Sequence, residues 1–206
     1  MTALKLAPQA LRAVAIDLDG TLIDTLGDFH AALAAMLHDL ALPAVLRETV
    51  AGFIGKGTEH LLRSVLAHVA PQAGLSASGQ AAAYTAGWDR YMHHYGLLNG
   101  EHAQVYAGVV DGLAASFVHV AGGDTYPHKK PHPQPLLETA RALGAEPAAM
   151  LMVGDSVNDA QAARAAGCPV VLVPYGYSHG IAVDTLDTDG IVPNLAALAQ
   201  ALRGQP

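Results

Sequence analysis

The chain has 206 residues and a formal charge of -7, with 11 Lys and Arg against 18 Asp and Glu, which excludes a general nucleic-acid binder because no basic stripe exists to neutralise phosphates. Its apolar content of 51 % suffices for a packed core, and a single cysteine excludes an intrachain disulfide and suits a reducing cytoplasm. Without a signal-peptide core or a membrane-length apolar run, the sequence predicts a cytoplasmic protein with no membrane partner.

The first predicted element is a short buried strand over residues 14–18, which ends at the turn signal Asp19-Gly20. Three carboxylates, those of Asp17, Asp19 and Asp24, lie at or just beyond the end of this strand. They repel one another unless a positive group joins them, so the sequence predicts a bound cation or a basic side chain nearby.

Helices dominate the next part of the chain. Residues 24–41 carry apolar side chains at three- and four-residue intervals, and further helices are predicted at 46–53, 57–70 and 76–95. Because no strand is predicted between residues 26 and 100, this region is interpreted as an all-helical insert.

Strands and helices alternate in the second half. The predicted order is a short helix at 109–116, a strand at 117–124, a helix within 129–144, a strand at 148–156, a helix at 158–168 and a strand at 169–176. Such alternation is typical of a doubly wound parallel sheet with an α/β fold. The carboxyl ends of its strands form the edge where active sites lie.

Acidic residues follow two of these strands. Asp17 and Asp19 end one, and Asp155 ends another, so adjacent strands would bring all three carboxylates to one edge. Mg²⁺ suits such a site because it prefers oxygen ligands and leaves positions for phosphate oxygens. The two-residue spacing lets Asp17 face a substrate while Asp19 turns away, so that one can act as nucleophile and the other can exchange protons. Each motif alone is also explained by a helix cap or a turn.

Three motifs together carry a resemblance. "DLDGTLIDT", "KKPHPQPL" and "GDSVNDAQAARAAG" resemble three of the four signature motifs of the haloacid dehalogenase-like hydrolase superfamily, above all its phosphoglycolate phosphatase-like branch. The resemblance covers most of the chain. It implies a Rossmann-like core domain formed by residues 1–25 and 101–206, with a helical cap domain at 26–100. It further implies a Mg²⁺-dependent phosphatase for a small phosphorylated metabolite such as 2-phosphoglycolate.

The resemblance also implies roles for individual residues. Asp17 would form an aspartyl-phosphate, Asp19 would act as general acid and base, and Lys130 would neutralise the nucleophile and the phosphoryl oxygens. The implied Mg²⁺ ligands are Asp17, the backbone carbonyl of Asp19, and Asp155. Asp159 and Ser156 would support them from behind. The candidates for substrate binding are Gly20, Thr21, Lys56 and Thr125, although the glycine-flanked Lys56 is equally explained by a helix–helix turn.

The second signature motif is absent. The segment from Tyr106 to Gly122 lacks the strand, the hydroxyl residue and the helices that the superfamily has there. Two alternatives stay open. Residues 117–120 could move beside strand 14–18, with Thr125 or the backbone N–H groups of the Gly122-Gly123 loop replacing the lost phosphate donors. Otherwise the sheet is one strand short, and the protein is catalytically impaired or silent.

Two further alternatives concern reaction and assembly. Sugar phosphomutases of the same superfamily transfer the phosphoryl group instead of hydrolysing it, and nothing in the insert favours that reaction. The protein could be a monomer or a homodimer, since a truncated sheet with an exposed edge encourages pairing.

Overall fold

The computed structural model describes residue 6 and residues 10–113, 117–122, 124–178 and 180–203. The chain divides into two compact units, one formed by Met1–Ile23 with Val105–Pro206 and the other by Asp24–Gln104. Over the part of the chain that is described, no helix combines the length and apolar character that a membrane crossing requires.

The elements follow one another in this chain order: β1 (Ala13–Ile16), β2 (Ile23–Asp24), α1 (Leu26–Asp39), α2 (Arg47–Ala51), α3 (Thr58–Ala73), α4 (Ala77–Leu98), β3 (Gln104–Val105), α5 (Val109–Gly112), α6 (Gln134–Ala142), β4 (Met150–Gly154), α7 (Val157–Ala166), β5 (Val170–Leu172), β6 (Gly190–Ile191) and α8 (Leu195–Leu202). Strands β2 and β3 form a small sheet of their own.

The first unit is built on a four-stranded parallel sheet in the order β1-β4-β5-β6. Strand β4, "MLMVG", is apolar throughout because it is buried on both faces. Met150 and Met152 pack with α6 and α7 on one face, and Leu151 and Val153 pack with α8 on the other. Helices on both faces of a parallel sheet confirm the predicted doubly wound α/β fold.

The second unit contains helices α1 to α4. Its core includes stacked aromatic rings, with centroids 5.5 Å apart for Phe29 and Tyr95 and 5.7 Å apart for Tyr91 and Tyr95. The buried Asp28 carboxylate accepts hydrogen bonds from the backbone N–H groups of Gly100 (2.8 Å) and His102 (2.7 Å). This carboxylate therefore fastens the start of α1 to the segment that follows α4.

One predicted strand is wrong. Residues 117–122 are not a strand, and among the residues that the structure describes β1 pairs only with β4. The side chains of Phe117, Val118 and Val120 are exposed instead of packed against β1, and only residues 113–116 separate the segment from the end of α5 at Gly112. The hypothesis that 117–120 fills the place beside β1 therefore fails, and the described sheet is one strand short.

Candidate active site

The turn after β1 begins the site. The Asp17 N–H continues the ladder to β4 by donating to the Val153 carbonyl at 2.9 Å. The chain then turns back, and Gly20 adopts the left-handed φ of +85°. A Cβ at Gly20 would lie 2.6 Å from Asp155 Oδ2, so both the backbone angle and the contact require glycine. The turn thus brings the chain after β1 against the end of β4.

Asp155 follows β4 and is almost fully buried. Its Oδ1 accepts a hydrogen bond from the Thr21 hydroxyl at 3.0 Å, and its Oδ2 accepts one from the Tyr177 N–H at 2.5 Å. A side chain at Gly176 would collide with this carboxylate. Two loops therefore fix the orientation of Asp155 while leaving lone pairs on both of its oxygens.

Lys130 connects two of the carboxylates. Its Nζ donates to Asp17 Oδ1 at 2.6 Å and to Asp159 Oδ1 at 2.5 Å. The second oxygen of Asp159 accepts from the backbone N–H groups of Asp155 (3.2 Å) and Ser156 (3.1 Å) and from the Ser156 hydroxyl (2.7 Å). Because Asp159 and Ser156 form the capping box of α7, the helix start holds the carboxylate that orients Lys130.

Burial makes the free carboxylates of this cluster unfavourable as anions. It raises the pKa of Asp17 to about 6, although Lys130 opposes the shift, and that of Asp155 to about 7, with repulsion from Asp159 and Asp17 adding to it. Burial acts in the same direction on Asp159, but Lys130 holds the pKa of that carboxyl below its usual value. Lys130 is kept charged, because the two neighbouring carboxylates raise its pKa although burial opposes them. One ammonium therefore leaves the cluster short of positive charge.

The cluster has the composition of a metal site. One oxygen from each of Asp17, Asp155 and Asp159 lies within 4.8 Å of the others. Both Asp159 oxygens already accept hydrogen bonds, whereas Asp17 and Asp155 retain lone pairs that face a charge deficit. These carboxylates fit a hard divalent cation. Asp17 and Asp155 are best suited as its direct ligands, whereas Asp159 binds and orients Lys130.

The other predicted residues have different surroundings. Asp19 is partly exposed, and its charge is among the influences that raise the pKa of Asp17. Thr21 is fully buried with its hydroxyl on Asp155, so its side chain positions that carboxylate instead of being open to a substrate. Thr125 lies in an exposed turn, where its Oγ1 accepts from the Gly122 N–H at 2.7 Å. Lys56 lies in an exposed loop between α2 and α3, and Gly123 falls outside the described residues.

The sequence did not predict the role of the loop after β5. Tyr177 supplies a backbone N–H to Asp155, and the Tyr175 hydroxyl donates to the Thr21 carbonyl at 3.0 Å. A signal was present, since "PYGY" follows a predicted strand and therefore lies at the same edge of the sheet. Backbone donors, however, leave no characteristic side chain in a sequence.

The sequence is similar to those of known proteins. A family model described as haloacid dehalogenase-like hydrolase matches residues 99–167. The chain is 37 % identical to a phosphoglycolate phosphatase of Thiobacillus denitrificans over 226 residues, which covers 95 % of this chain and 97 % of that protein. The chain belongs to the haloacid dehalogenase-like hydrolase family. A phosphoglycolate phosphatase of Escherichia coli K12 is also 34 % identical over 236 residues, covering 93 % and 92 %. The family and these relatives together identify the chain as a phosphoric monoester hydrolase.

Solved structures of this hydrolase family agree with the fold. A structure described as a predicted phosphoglycolate phosphatase from Haemophilus somnus has a TM-score of 0.86 at 25 % identity and covers 93 % of this chain and 98 % of that one. A β-phosphoglucomutase from Clostridium difficile shares the fold alone, at 16 % identity, a TM-score of 0.62 and coverage of 91 % and 93 %. Since the alignment to the Thiobacillus protein spans 226 residues and this hydrolase has 206, the relative contains positions that this chain lacks.

Proposed function

We propose that this hydrolase is a Mg²⁺-dependent phosphatase that acts on a small phosphorylated acid of the 2-phosphoglycolate kind through an aspartyl-phosphate. The observation that supports this most directly is the contact of 2.6 Å between Lys130 Nζ and Asp17 Oδ1. A carboxylate held beside an ammonium, next to a second carboxylate suited to a metal, has the nucleophile and the counter-charge that phosphoryl transfer needs.

The reaction proceeds in two displacements. Asp17 attacks phosphorus, the bond from phosphorus to the ester oxygen breaks, and Asp19 gives a proton to the departing alcohol. Water then attacks the aspartyl-phosphate, Asp19 takes a proton from that water, and inorganic phosphate leaves with Asp17 restored. Lys130 neutralises charge at Asp17 in both steps. Bound Mg²⁺, held by Asp17, the Asp19 carbonyl and Asp155, would supply further charge neutralisation.

The substrate class depends on the relatives, which are named phosphoglycolate phosphatases. Residues 26–100 are the proposed cap domain, and Lys56 in its exposed loop is the proposed contact for the carboxylate of the substrate. Gly20 is assigned the tight turn over the site. Thr125 remains the proposed replacement for the missing phosphate donor, which requires its turn to rearrange. A cytoplasmic location is also proposed, in keeping with the single buried cysteine.

A silent protein is the second candidate, because the described sheet lacks the strand that carries a phosphate donor in the superfamily. Turnover of p-nitrophenyl phosphate and 2-phosphoglycolate, with and without Mg²⁺, separates the two. We expect metal-dependent turnover that Asp17→Asn abolishes and that Asp89→Asn, on the exposed face of α4, leaves intact. A folded wild type that binds Mg²⁺ but releases no phosphate from either compound would instead establish the silent protein. Transfer to a sugar phosphate in place of phosphate release would indicate a mutase.

A further inference from the structure

Strand β1 has an open edge. It pairs with β4 on one side, and none of the described residues pairs with its other side. The exposed fraction of Val14 is 40 %, although this side chain belongs to a strand of the central sheet. A cavity of about 320 Å³, lined by Leu11, Arg12, Ala13, Val14 and Leu202, lies at the same strand. An edge of this kind presents unpaired backbone donors and acceptors to any suitable strand.

The same chain also contains a segment that favours strand structure but belongs to no sheet. Residues 117–120 have the sequence "FVHV", which combines high strand propensity with apolar side chains. The exposed fractions are 56 % for Phe117, 87 % for Val118 and 81 % for Val120. The backbone of these residues forms no hydrogen bond with any other described residue. A strand-forming segment without a sheet therefore coexists with a sheet edge without a strand.

We propose that two copies of this chain form a dimer in which residues 117–120 of each copy pair with the open edge of β1 in the other. Two-fold symmetry makes the exchange reciprocal, so both edges are covered and both apolar segments are buried. The exchange closes on itself, because each copy donates one segment and accepts one, and neither β1 edge stays open to a third copy. Its main-chain hydrogen bonds follow the general pattern of strand addition to a sheet.

The geometry of the chain favours a second copy over self-pairing. Helix α5 packs against α8, and Gly112 lies so close to the Leu195 backbone that a Cβ would come within 2.7 Å of it. Only residues 113–116 connect this anchored helix to Phe117, so the short linker limits how far the segment can move from α5 toward β1 of its own copy. A segment from another copy is not tethered to this α5 and is therefore free of that limit.

Engineered cysteines test which strand covers the edge. Val14→Cys and Val118→Cys are made in separate chains, since the native Cys168 is buried and does not compete. We expect mild oxidation of the mixture to give a disulfide-linked dimer containing one chain of each kind, because paired strands bring opposing Cα atoms within disulfide range. Val120→Cys covers a shift of register by one strand period.

The alternatives give different products. A monomeric disulfide in the double variant Val14→Cys/Val118→Cys, with no linked mixed dimer, would show that the segment covers its own edge and would overturn the proposal. Efficient linkage of Val14→Cys to itself alone would assign the edge to a second β1, which equally overturns the exchange. Neither result depends on catalysis, so the proposal and the proposed phosphatase activity can fail separately.

Molecular mass in solution provides the second measurement. Light scattering after size-exclusion chromatography is expected to give a dimer at high micromolar concentration and dissociation on dilution. Val118→Lys should yield a folded monomer, because lysine is tolerated on an exposed segment but not in a buried strand. Leu46→Lys, at another largely exposed apolar residue outside both surfaces, should leave the dimer intact. A wild type that stays monomeric at all concentrations would overturn the exchange.

Discussion

The two sides of strand β1 differ sharply in completeness. Toward β4, the strand ends in a cluster where Asp17, Lys130, Asp155 and Asp159 are joined by short hydrogen bonds and backed by two loops. Away from β4, the strand has no described neighbour, and the segment that could cover it is exposed. A phosphoryl-transfer site needs groups that neutralise charge and groups that hold the phosphate. Here the charge-neutralising cluster is complete although the neighbouring strand, which holds the phosphate in the superfamily, is not present among the described residues.

The contrast can be tested by restoring the deficient side. Grafting a superfamily segment that contains the second signature motif between residues 113 and 117 would supply the neighbouring strand and the phosphate donor that the superfamily has there. We expect phosphate-ester turnover to rise by roughly 10²–10³-fold, the usual effect of one preorganised donor on a transition state. Steady-state kinetics with 2-phosphoglycolate provides the measurement.

The matched control is the same graft with its phosphate-binding hydroxyl residue changed to Ala. This control should have the completed sheet and be monomeric, without the full gain in turnover. If both grafts leave turnover at the level of the unmodified chain, the missing phosphate-holding strand is not what limits this hydrolase.

The intact side should be sensitive to loss of Asp159. Asp159→Asn removes the anion that binds Lys130 within the buried cluster, and breaking such a pair typically costs about 3 kcal/mol of unfolding free energy. Urea denaturation of the metal-free protein measures this change. Glu59→Gln breaks the exposed pair with Arg63 and should cost below about 1 kcal/mol. Equal effects of the two substitutions would contradict a structural role for the cluster.

A smaller effect is expected at Thr21. Thr21→Val keeps the shape of the side chain but removes the hydroxyl that donates to Asp155, and loss of a partner behind a ligand weakens metal binding by about tenfold or more. Calorimetric titration with Mg²⁺ measures the affinity directly. Thr21→Ser should restore most of it, whereas a merely structural defect would not separate valine from serine in this way. Thr85→Val, in an exposed helix, is the control.

Local sequence patterns predicted the strands that are marked by a continuous apolar run. The apolar runs before Asp17 and Asp155 predicted β1 and β4, and the parallel order brought both residues to one edge as expected for a doubly wound sheet. The strand predicted at residues 117–120 is wrong because strand propensity is a property of the segment alone, whereas a strand forms only where a neighbouring strand can pair with it. Strand β6 was missed because a two-residue strand has no periodicity, and helix α8 was also not predicted. The support from Tyr177 was missed because it comes from a backbone N–H.

The last expected effect is a dependence of stability and of metal binding on pH. Burial raises the pKa of Asp17 from its ordinary value of 3.8 to about 6 and that of Asp155 to about 7. Between pH 4 and 7, roughly, these two carboxyls therefore hold more protons in the folded metal-free protein than in the unfolded chain. Its stability should therefore fall as pH rises from about 4 to about 7 and level off above that. Mg²⁺ must displace these protons, so its affinity should rise with pH over about 5 to 7 and then become constant. Titrations at several pH values, with proton release measured in two buffers, test this expectation. A Mg²⁺ affinity that is flat across this range would mean that the two carboxylates do not bind the ion.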